Sequence, residues 1–255
     1  MTSRYEAFMD GTALSSLDSS IYILNIQYGG VKKTIRTSKV AGRSGARITK
    51  QETESNSVTI LFEIHEYDIA DRQEVCQSIC KWADGSVLTV NDRTGQQLSV
   101  VCEQYPAVSA KDWTEQLSVT FTAYNPPYWQ DSTVTSFSLI GTNESTSKSI
   151  SGNAPETTLV SVKVTASESV DSLTVSAGST IIILSNVGVL SGDKVYIEYD
   201  SKNILYIRRN STSILDKRTA TSSDELSVPC GGSSTFSVQA DGSVTAEFSY
   251  RGWWY

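Results

Sequence analysis

The chain has 255 residues, of which 39% are apolar and 19% are charged, so a disordered tail and a coiled coil are both excluded. A mass of 27.8 kDa is enough for one large all-β domain or two domains of common size. The formal net charge of −7 argues against nucleic-acid binding over the whole surface, and no apolar run is long enough to span a membrane.

The first residues, Met1 to Glu6, lack the apolar core of a signal peptide. We therefore expect a soluble protein that is not exported by the usual N-terminal route and that has no membrane partner. Beyond this start, apolar alternation with β-branched and aromatic residues predicts strands at residues 21–28, 58–64, 98–103 and 117–123. Two of these stretches, 58–64 and 117–123, each place apolar side chains at every second position, as the inner faces of a sandwich require.

A basic stretch follows the first predicted strand. Between positions 32 and 50 there are no acidic residues, and the basic residues are Lys32, Lys33, Arg36, Lys39, Arg43, Arg47 and Lys50. Three interpretations are open: contact with a phosphate backbone, an arm that pairs with an acidic neighbour, and a solvated two-stranded excursion that turns at positions 42–45. No aromatic residue lies between Tyr28 and Phe62, which weakens the first interpretation because stacking on single-stranded nucleic acid needs aromatic rings. Since the rest of the chain is acidic, we favour a charge-complementary contact between copies of this protein.

One helix is predicted between the second and third strands. Asp68 can cap it, Asp71 favours its first turn, and Gly85 stands where the chain must leave the helix. Apolar residues from Ile69 to Trp82 follow helical spacing, so we expect the helix to pack on the sheet with Trp82 as a core anchor.

Composition changes near residue 131. Serine and threonine supply 26 of the first 131 residues and 40 of the remaining 124. We therefore predict two domains, 1–131 and 132–255, with the break between Trp129 and Val134. The polar segment 141–155 is predicted to be a long loop just after this break.

The second part shows only short apolar runs separated by turn residues, a pattern that predicts a β-sandwich. The runs are residues 160–164, 173–175, 181–184, 195–199, 204–207, 236–238 and 244–250. The polar residues that begin with Asp200 divide two of these runs and predict a hairpin. Gly231-Gly232 and Asp241-Gly242 are predicted to mark later turns.

Few residues suit catalysis or metal binding. The four cysteines do not form a disulfide framework in a chain this long, and we expect buried free thiols at Cys76, Cys80, Cys102 and Cys230. A Cys-x3-Cys pair without a second pair or nearby histidines does not make a zinc site. The single histidine, His65, is predicted to end a strand, and no Gly-x-Ser-x-Gly turn supports a catalytic triad. We predict no enzyme activity, no catalytic residue, no metal and no cofactor.

Several short motifs occur in an order that resembles the distal tail proteins of long-tailed, non-contractile (siphovirus-type) bacteriophages, which form a ring at the tip of the tail tube. In chain order they are Phe8-Met9-Asp10-Gly11-Thr12, Gly42-Arg43-Ser44-Gly45-Ala46, the helix ending in Trp82, Leu88-Thr89-Val90-Asn91-Asp92, Asn125-Pro126-Pro127-Tyr128, the paired strands around Asp200, the Gly242 turn, and Tyr250-Arg251-Gly252-Trp253-Trp254-Tyr255. The resemblance covers nearly the whole chain and is clearer up to Tyr128 than beyond it.

The resemblance implies a mainly β protein with two sandwich domains. The N-terminal one would carry the helix and a projecting β-hairpin arm at residues 35–53, and the C-terminal one would be galectin-like. It also implies a homo-oligomeric, hexameric ring in which the arm, with Arg36, Lys39, Arg43, Arg47 and Lys50, clasps the next subunit. Such a ring joins the tail tube protein to the tail hub, the tail-associated lysin and the receptor-binding proteins of the baseplate. The protein would then be a virion component that is assembled in the host cytoplasm.

An alternative function is carbohydrate binding at host cell-surface glycans, because galectin-like sandwiches often hold sugars. A sugar site usually needs an exposed aromatic ring beside polar groups. Between Gln130 and Gly252 there is no tryptophan, which leaves Tyr196, Tyr199 and Tyr206 as candidates. Alternation assigns Tyr199 to the core and places Tyr196 on the opposite face with Glu198, so we take Tyr196 as the possible sugar contact. The terminal aromatic residues 253–255 either seal the domain edge or dock on a partner, and we favour sealing.

Overall fold

The computed structural model describes residues 5–39, 46–107, 116–200 and 203–255, without the side chains of residue 39 and residues 46–52. The described chain is mainly β and contains one α-helix. No helix in these residues combines the length and the apolar character that a membrane span requires. Two compact units divide the chain, Met1–Trp129 and Gln130–Tyr255.

The first unit contains eight strands among its described residues, helix α1 (Ile69–Ala83) and the short 3-10 helix Leu14–Ser16. Its strands are β1 (Ala7–Met9), β2 (Thr12–Ala13), β3 (Ile21–Lys39), β4 (Ala46–Ile64), β5 (Val87–Val90), β6 (Gln96–Ser99), β7 (Val101–Gln104) and β8 (Gln116–Ala123). Strands β3, β4, β8 and β7 form one sheet in that order, and β6, β5, β1 and β2 lie in a second. Strand β9 (Trp129–Asp131) begins at the boundary between the units.

The period-2 faces predicted from the sequence form the core of the first unit. Val58, Ile60 and Phe62 of β4 are completely buried, as are Val119 and Phe121 of the neighbouring strand β8. Such a core forms because alternate side chains of a strand point to the same face, and burial of that face supplies most of the favourable free energy of folding.

Helix α1 is confirmed where the sequence predicts it. The carboxylate of Asp68 accepts a hydrogen bond from the Ala70 N–H at 2.7 Å and so caps the first turn. Trp82 is buried at 7% exposure, and its ring lies 5.9 Å from that of Phe121 in an edge-on arrangement. Its indole Nε1–H donates to the Thr12 carbonyl oxygen at 2.7 Å, so the predicted core anchor also holds strand β2.

The single strand predicted at residues 98–103 is wrong. Strand β6 ends at Ser99 in one sheet, and β7 begins at Val101 in the other. Between them, the Val100 N–H donates to the Ser86 carbonyl oxygen at 2.9 Å. Leu98 and Val100 are both buried, so apolar alternation continues through the crossing and hides it from the sequence pattern.

The second unit contains ten strands among its described residues and the 3-10 helix Leu215–Lys217. The strands are β10 (Thr135–Ser149), β11 (Thr157–Ala166), β12 (Val170–Ala177), β13 (Thr180–Val189), β14 (Lys194–Tyr199), β15 (Leu205–Arg209), β16 (Thr212–Ser213), β17 (Ser227–Pro229), β18 (Ser233–Tyr250) and β19 (Trp253–Trp254). The first half of β18 pairs with β12 and its second half with β11, while β10 pairs along its whole length. One apolar cluster contains side chains from both halves of β18 and from the strands they pair with, including Val175, Phe236, Val162 and Phe248. This is the core of the predicted β-sandwich.

The turn predicted at Asp241-Gly242 is also wrong, because both residues lie inside strand β18. They mark the point where that strand changes partner from β12 to β11. The Asp241 carboxylate accepts the Asp171 and Ser172 N–H groups at 3.0 and 3.1 Å, and a Cβ at position 242 would lie 2.5 Å from the Ser169 carbonyl oxygen. Asp241 and Gly242 therefore allow the backbone of β18 to lie close to that of Ser169 at the point where β18 changes partner.

The long loop predicted at residues 141–155 is replaced through Ser149 by strand β10. Gly141, with φ of +149°, accompanies a register shift between Gly141 and Asn143, after which pairing with β18 resumes. Most side chains of β10 are exposed, so the segment is polar although it is extended. The predicted hairpin at Asp200 is confirmed by the pairing of β14 with β15, with positions 201 and 202 outside the described residues. The turn at Gly231-Gly232 is also confirmed.

Candidate functional site: the arm and the Tyr196 face

Strands β3 and β4 continue together beyond the sheet of the first unit. They pair from Ile21 opposite Ile64 to Lys39 opposite Ala46, whereas β8 pairs with β4 only from Asn56 to Glu63. Among the described residues, positions 32–39 and 46–55 therefore form a two-stranded ribbon, which we name the arm. Paired strands therefore lie where the resemblance implied a β-hairpin arm at residues 35–53, and the turn that would join them lies outside the described residues.

The charge of the arm differs from that of the rest of the chain. Residues 32–55 include seven basic and two acidic side chains, so this segment has a formal charge of +5, whereas the whole chain has a formal net charge of −7. The remaining residues therefore carry −12. Such a separation of charge favours oriented association between one surface of a copy and a different surface of another.

For the predicted arm residues other than Arg43, the structure gives the backbone positions. Arg36 is exposed and lies opposite Lys50, and Arg47 lies opposite Ser38. Arg43 and the turn at positions 42–45 lie outside the described residues, as do the side chains of Lys39, Arg47 and Lys50. Between the described side chains, Lys32 Nζ lies 3.7 Å from a carboxylate oxygen of Glu54. Both groups are exposed, so this ion pair contributes little to stability.

The base of the arm is held by a cluster of aromatic and charged side chains. The Arg93 guanidinium lies 4.7 Å from the ring centroid of Tyr28, the last residue before the register shift into the arm, and 5.0 Å from that of Trp129. The Tyr28 hydroxyl donates to the carboxylate of Asp92. Burial, followed by this hydrogen bond and the charge of Asp92, raises the pKa of Tyr28 well above its usual range, so the phenol stays neutral and keeps its proton for the bond. We name Tyr28, Asp92, Arg93 and Trp129 the arm clamp.

The arm clamp is not visible in the sequence. Its members come from β3, from the turn between β5 and β6, and from β9, and only the folded topology brings them together. The sequence offers a local signal only for the turn, namely Gly95, whose φ of +78° is a conformation that favours glycine.

The Tyr196 face lies on the outer side of the second unit. A cavity of about 260 Å³ is lined there by Tyr196, Glu198, Lys163 and Glu247, which confirms that Tyr196 and Glu198 share a face. Lys163 Nζ lies 3.0 Å from Glu247 Oε2, and this partner raises the pKa of Lys163. The Arg208 guanidinium lies 3.8 Å from the centroid of the Tyr196 ring and also bonds Glu198 at 3.3 Å. One face of the candidate sugar platform is therefore covered, and a sugar would have to stack on the other.

Tyr199 lies on the opposite side of its strand and is half-buried. Its hydroxyl lies 2.5 Å from the Leu226 N–H and 3.1 Å from the Leu226 carbonyl oxygen. Burial raises the pKa of Tyr199 to about 12. This side chain serves the core of the second unit, as predicted.

The terminal aromatic residues pack within the second unit. Trp253 is buried at 8% exposure, and Trp254 Nε1–H donates to Asp131 Oδ1 at 2.7 Å. The Arg251 guanidinium donates to the Asp131 and Ser132 carbonyl oxygens at 2.5 and 2.7 Å. Tyr255 remains 54% exposed, so Trp253 and Trp254 seal the edge of the unit and the last residue does not.

The residues considered for catalysis and metal binding are dispersed. His65 follows directly after β4, as predicted, and its ring lies 4.3 Å from that of Tyr22. All four cysteines are free, but the expectation of buried thiols holds only for Cys76, because Cys80, Cys102 and Cys230 are half-buried. In the described ranges no three metal-ligating side chains come together.

Comparison with known proteins gives a match in structure alone. No family model matches the chain, and no curated protein matches its sequence. The crystal structure of SPP1 Dit, described as a paradigm of the hub adsorption apparatus in phages that infect Gram-positive hosts, superposes with a TM-score of 0.72 at 12% identity, covering 97% of this chain and 98% of that one. The phage P2 baseplate in its activated conformation with Ca covers 99% and 98% of the two chains at 10% identity with a TM-score of 0.46. The first match shows that this chain has the fold of a distal tail protein, as the order of its motifs suggested.

Proposed function

We propose that this protein is a structural component of a phage tail tip, where it forms a ring that connects the tail tube to the hub and host-adsorption parts. The observation that carries the proposal is the fold shared with SPP1 Dit over 97% of this chain. A likeness over both units supports a common architecture, and the arm of this chain supplies a feature that ring assembly can use.

The arm is the part that we assign to subunit contact. A closed ring needs a heterologous interface, in which one surface of a subunit meets a different surface of its neighbour. A basic arm on an acidic protein has this asymmetry. We propose that Arg36, Lys39, Arg43, Arg47 and Lys50 contribute to this contact and that six copies close the ring.

The two parts of the chain then have separate roles. We propose that residues 1–131 form the ring and that residues 132–255, a galectin-like sandwich, dock other tail proteins or act as a spacer. The partners would be the tail tube protein, the tail hub with its tail-associated lysin, and the receptor-binding proteins. The ring would be a virion component assembled in the host cytoplasm, a reducing compartment that suits four free thiols. This role requires no catalysis.

Charge reversal in the arm tests the proposal. The double variant Arg43→Glu with Arg47→Glu should weaken self-association in sedimentation velocity at low salt, because it converts attraction into repulsion. The matched control Lys194→Glu with Lys217→Glu makes the same charge change in the second unit and should leave the oligomer intact. An arm variant that associates like the wild-type chain would contradict the role of the arm.

The carbohydrate-binding alternative stays a hypothesis. It predicts that the protein binds glycans in a screen and that Tyr196→Ala removes this binding, since the ring face opposite Arg208 would be the stacking surface. The tail-tip proposal predicts no such binding by the isolated chain.

A further inference from the structure

Two free thiols lie on neighbouring elements of the first unit. Cys80 belongs to helix α1, and Cys102 belongs to β7, which is an edge strand of the sheet that α1 packs on. Both side chains are half-buried, so a small molecule can reach them. The proposed function uses neither of them.

The thiol of Cys102 is on the side of the sheet that faces α1. Cys102 lies directly opposite Phe121 of strand β8. Residues directly opposite each other in an antiparallel pair place their side chains on the same face of the sheet. The Phe121 ring contacts the ring of Trp82 on α1, with 5.9 Å between the centroids. Cys102 therefore faces the helix at the level of Trp82.

The thiol of Cys80 is on the side of α1 that faces the chain after β7. Cys76, Cys80 and Asp84 follow one another at intervals of four residues and so form a row along one side of the helix. At one end of the row, Cys76 Sγ donates to the Pro106 carbonyl oxygen at 3.4 Å. At the other end, the Asp84 carboxylate accepts a bond from the Tyr105 hydroxyl. Cys80 is the middle member of this row.

These two placements bring the thiols to the same point of the contact between helix and strand. Cys80 precedes Trp82 by two residues, which is about 3 Å along the helix axis. The electrostatics agree, because burial, with the charges of Asp84 and Cys80 adding to it, raises the pKa of Cys102. At neutral pH the Cys102 thiol is therefore mostly protonated, and a reaction of its thiolate becomes faster as the pH rises.

We infer that Cys80 and Cys102 are a redox pair that forms a disulfide bond and so links α1 to the edge of its sheet. The oxidant is a small-molecule disulfide. One protein thiolate attacks a sulfur of the oxidant, which gives a mixed disulfide and releases one small thiolate. The other protein thiolate then attacks the protein sulfur of the mixed disulfide and releases the second. The two thiol protons pass to the two small thiolates, and the two electrons lost by the protein reduce the oxidant.

The reaction itself is independent of the proposed function, but its timing rests on it. A tail-tip protein would be assembled in a reducing cytoplasm with both thiols free, and the released particle would meet an oxidising medium. The bond closes the chain between Cys80 and Cys102 into a loop, which restricts the unfolded chain and stabilises the folded one. The first unit would then be strengthened after assembly.

The test treats the reduced, folded, full-length chain with oxidised glutathione, blocks the remaining thiols and locates the bond by peptide mapping. One intramolecular bond should form, with the loss of two hydrogens. It should be absent from Cys80→Ser and from Cys102→Ser, and it should persist in the controls Cys76→Ala and Cys230→Ser. These variants are needed because no lysine or arginine separates Cys76 from Cys80, so trypsin leaves both in one peptide.

Two further measurements check the geometry and the consequence. In urea, where the placement of the thiols is lost, the same treatment should give several pairings. Calorimetry should show the first unit of the oxidised wild-type chain melting about 5 to 10 °C above that of the reduced chain. Oxidised and reduced Cys80→Ser should melt at the same temperature.

Three results would overturn the inference: a bond that involves Cys76, a folded chain that forms no bond while the chain in urea does, and a correctly placed bond that leaves the melting temperature unchanged. The first two remove the pair, and the third removes its stabilising role. Failure of the pair leaves the ring standing, because self-association is measured on the reduced chain. A chain that forms the bond but is a monomer overturns the ring and leaves the pair.

Discussion

The arm clamp gives a quantitative prediction about the part of the fold that positions the arm. Arg93→Met keeps the apolar stem of the side chain and removes the cation from between the rings of Tyr28 and Trp129. Each guanidinium–ring contact within about 6 Å contributes about 0.5 to 1 kcal/mol at an exposed site and more when the ring is buried. Trp129 is 1% exposed and Tyr28 is 36% exposed, so the two contacts together should contribute about 1 to 2 kcal/mol.

The assay is urea unfolding followed by tryptophan fluorescence, with the change taken from the midpoint at constant slope. Lys194→Met, which removes a cation that has no ring contact, is the matched control and should change stability by less than about 0.5 kcal/mol. A double-mutant cycle with Tyr28→Leu should show coupling between Tyr28 and Arg93. If Arg93→Met costs no more than the control, the cation does not hold the base of the arm and the reasoning is refuted.

Three further predictions concern the two cores. Trp82→Phe removes the bond to the Thr12 carbonyl oxygen and should cost about 1 kcal/mol, whereas Trp82→Ala should cost about 3 to 5 kcal/mol in the same urea assay; equal losses would contradict the anchoring role. Asp131→Ala leaves the N–H groups of Gly252 and Trp254 without their acceptor and should lower the melting temperature of the second unit by calorimetry, while Asp216→Ala at an exposed site should not. The pKa of Tyr199 is raised to about 12 in the folded chain, so the stability due to its neutral phenol is complete below the unfolded pKa of about 10 and is lost as the pH rises towards 12. Unfolding at about pH 9 and about pH 11 should therefore show a smaller decline for Tyr199→Phe than for the wild-type chain, and equal declines would argue against this titration.

Local patterns in the sequence predicted the elements whose causes are local. The cap at Asp68 and the spacing that leads to Trp82 were sufficient for α1, and period-2 alternation was sufficient for the inner faces of β4 and β8. The hairpin at Asp200 follows in the same way, because its turn residues bond within the turn: the Asp200 N–H donates to the Ile204 carbonyl oxygen at 3.1 Å.

Elements that depend on distant partners were not predicted. Strand β10 is extended because it pairs with β18, about a hundred residues away, and its polar composition alone favoured a loop. Asp241 and Gly242 have the residue types of a turn, but the approach of Ser169 decides that they bend a strand. At Val100 the alternation is kept while the chain changes sheet, so periodicity cannot reveal the crossing.

The same distinction between local causes and distant partners applies to the candidate site. The basic stretch that forms the arm is a property of consecutive residues, and its charge was evident in the sequence. The arm clamp is assembled from separate elements, so it emerges only with the fold. The covering of Tyr196 by Arg208 depends on the register of β14 with β15, which places the two residues directly opposite each other.

The absolute mass of the purified protein, measured by light scattering at low and high salt, tests the central claim most directly. The account predicts a mass near six times 27.8 kDa at low salt, with dissociation at high salt because screening weakens the contacts of the basic arm. A mass of 27.8 kDa at both salt concentrations would contradict the ring.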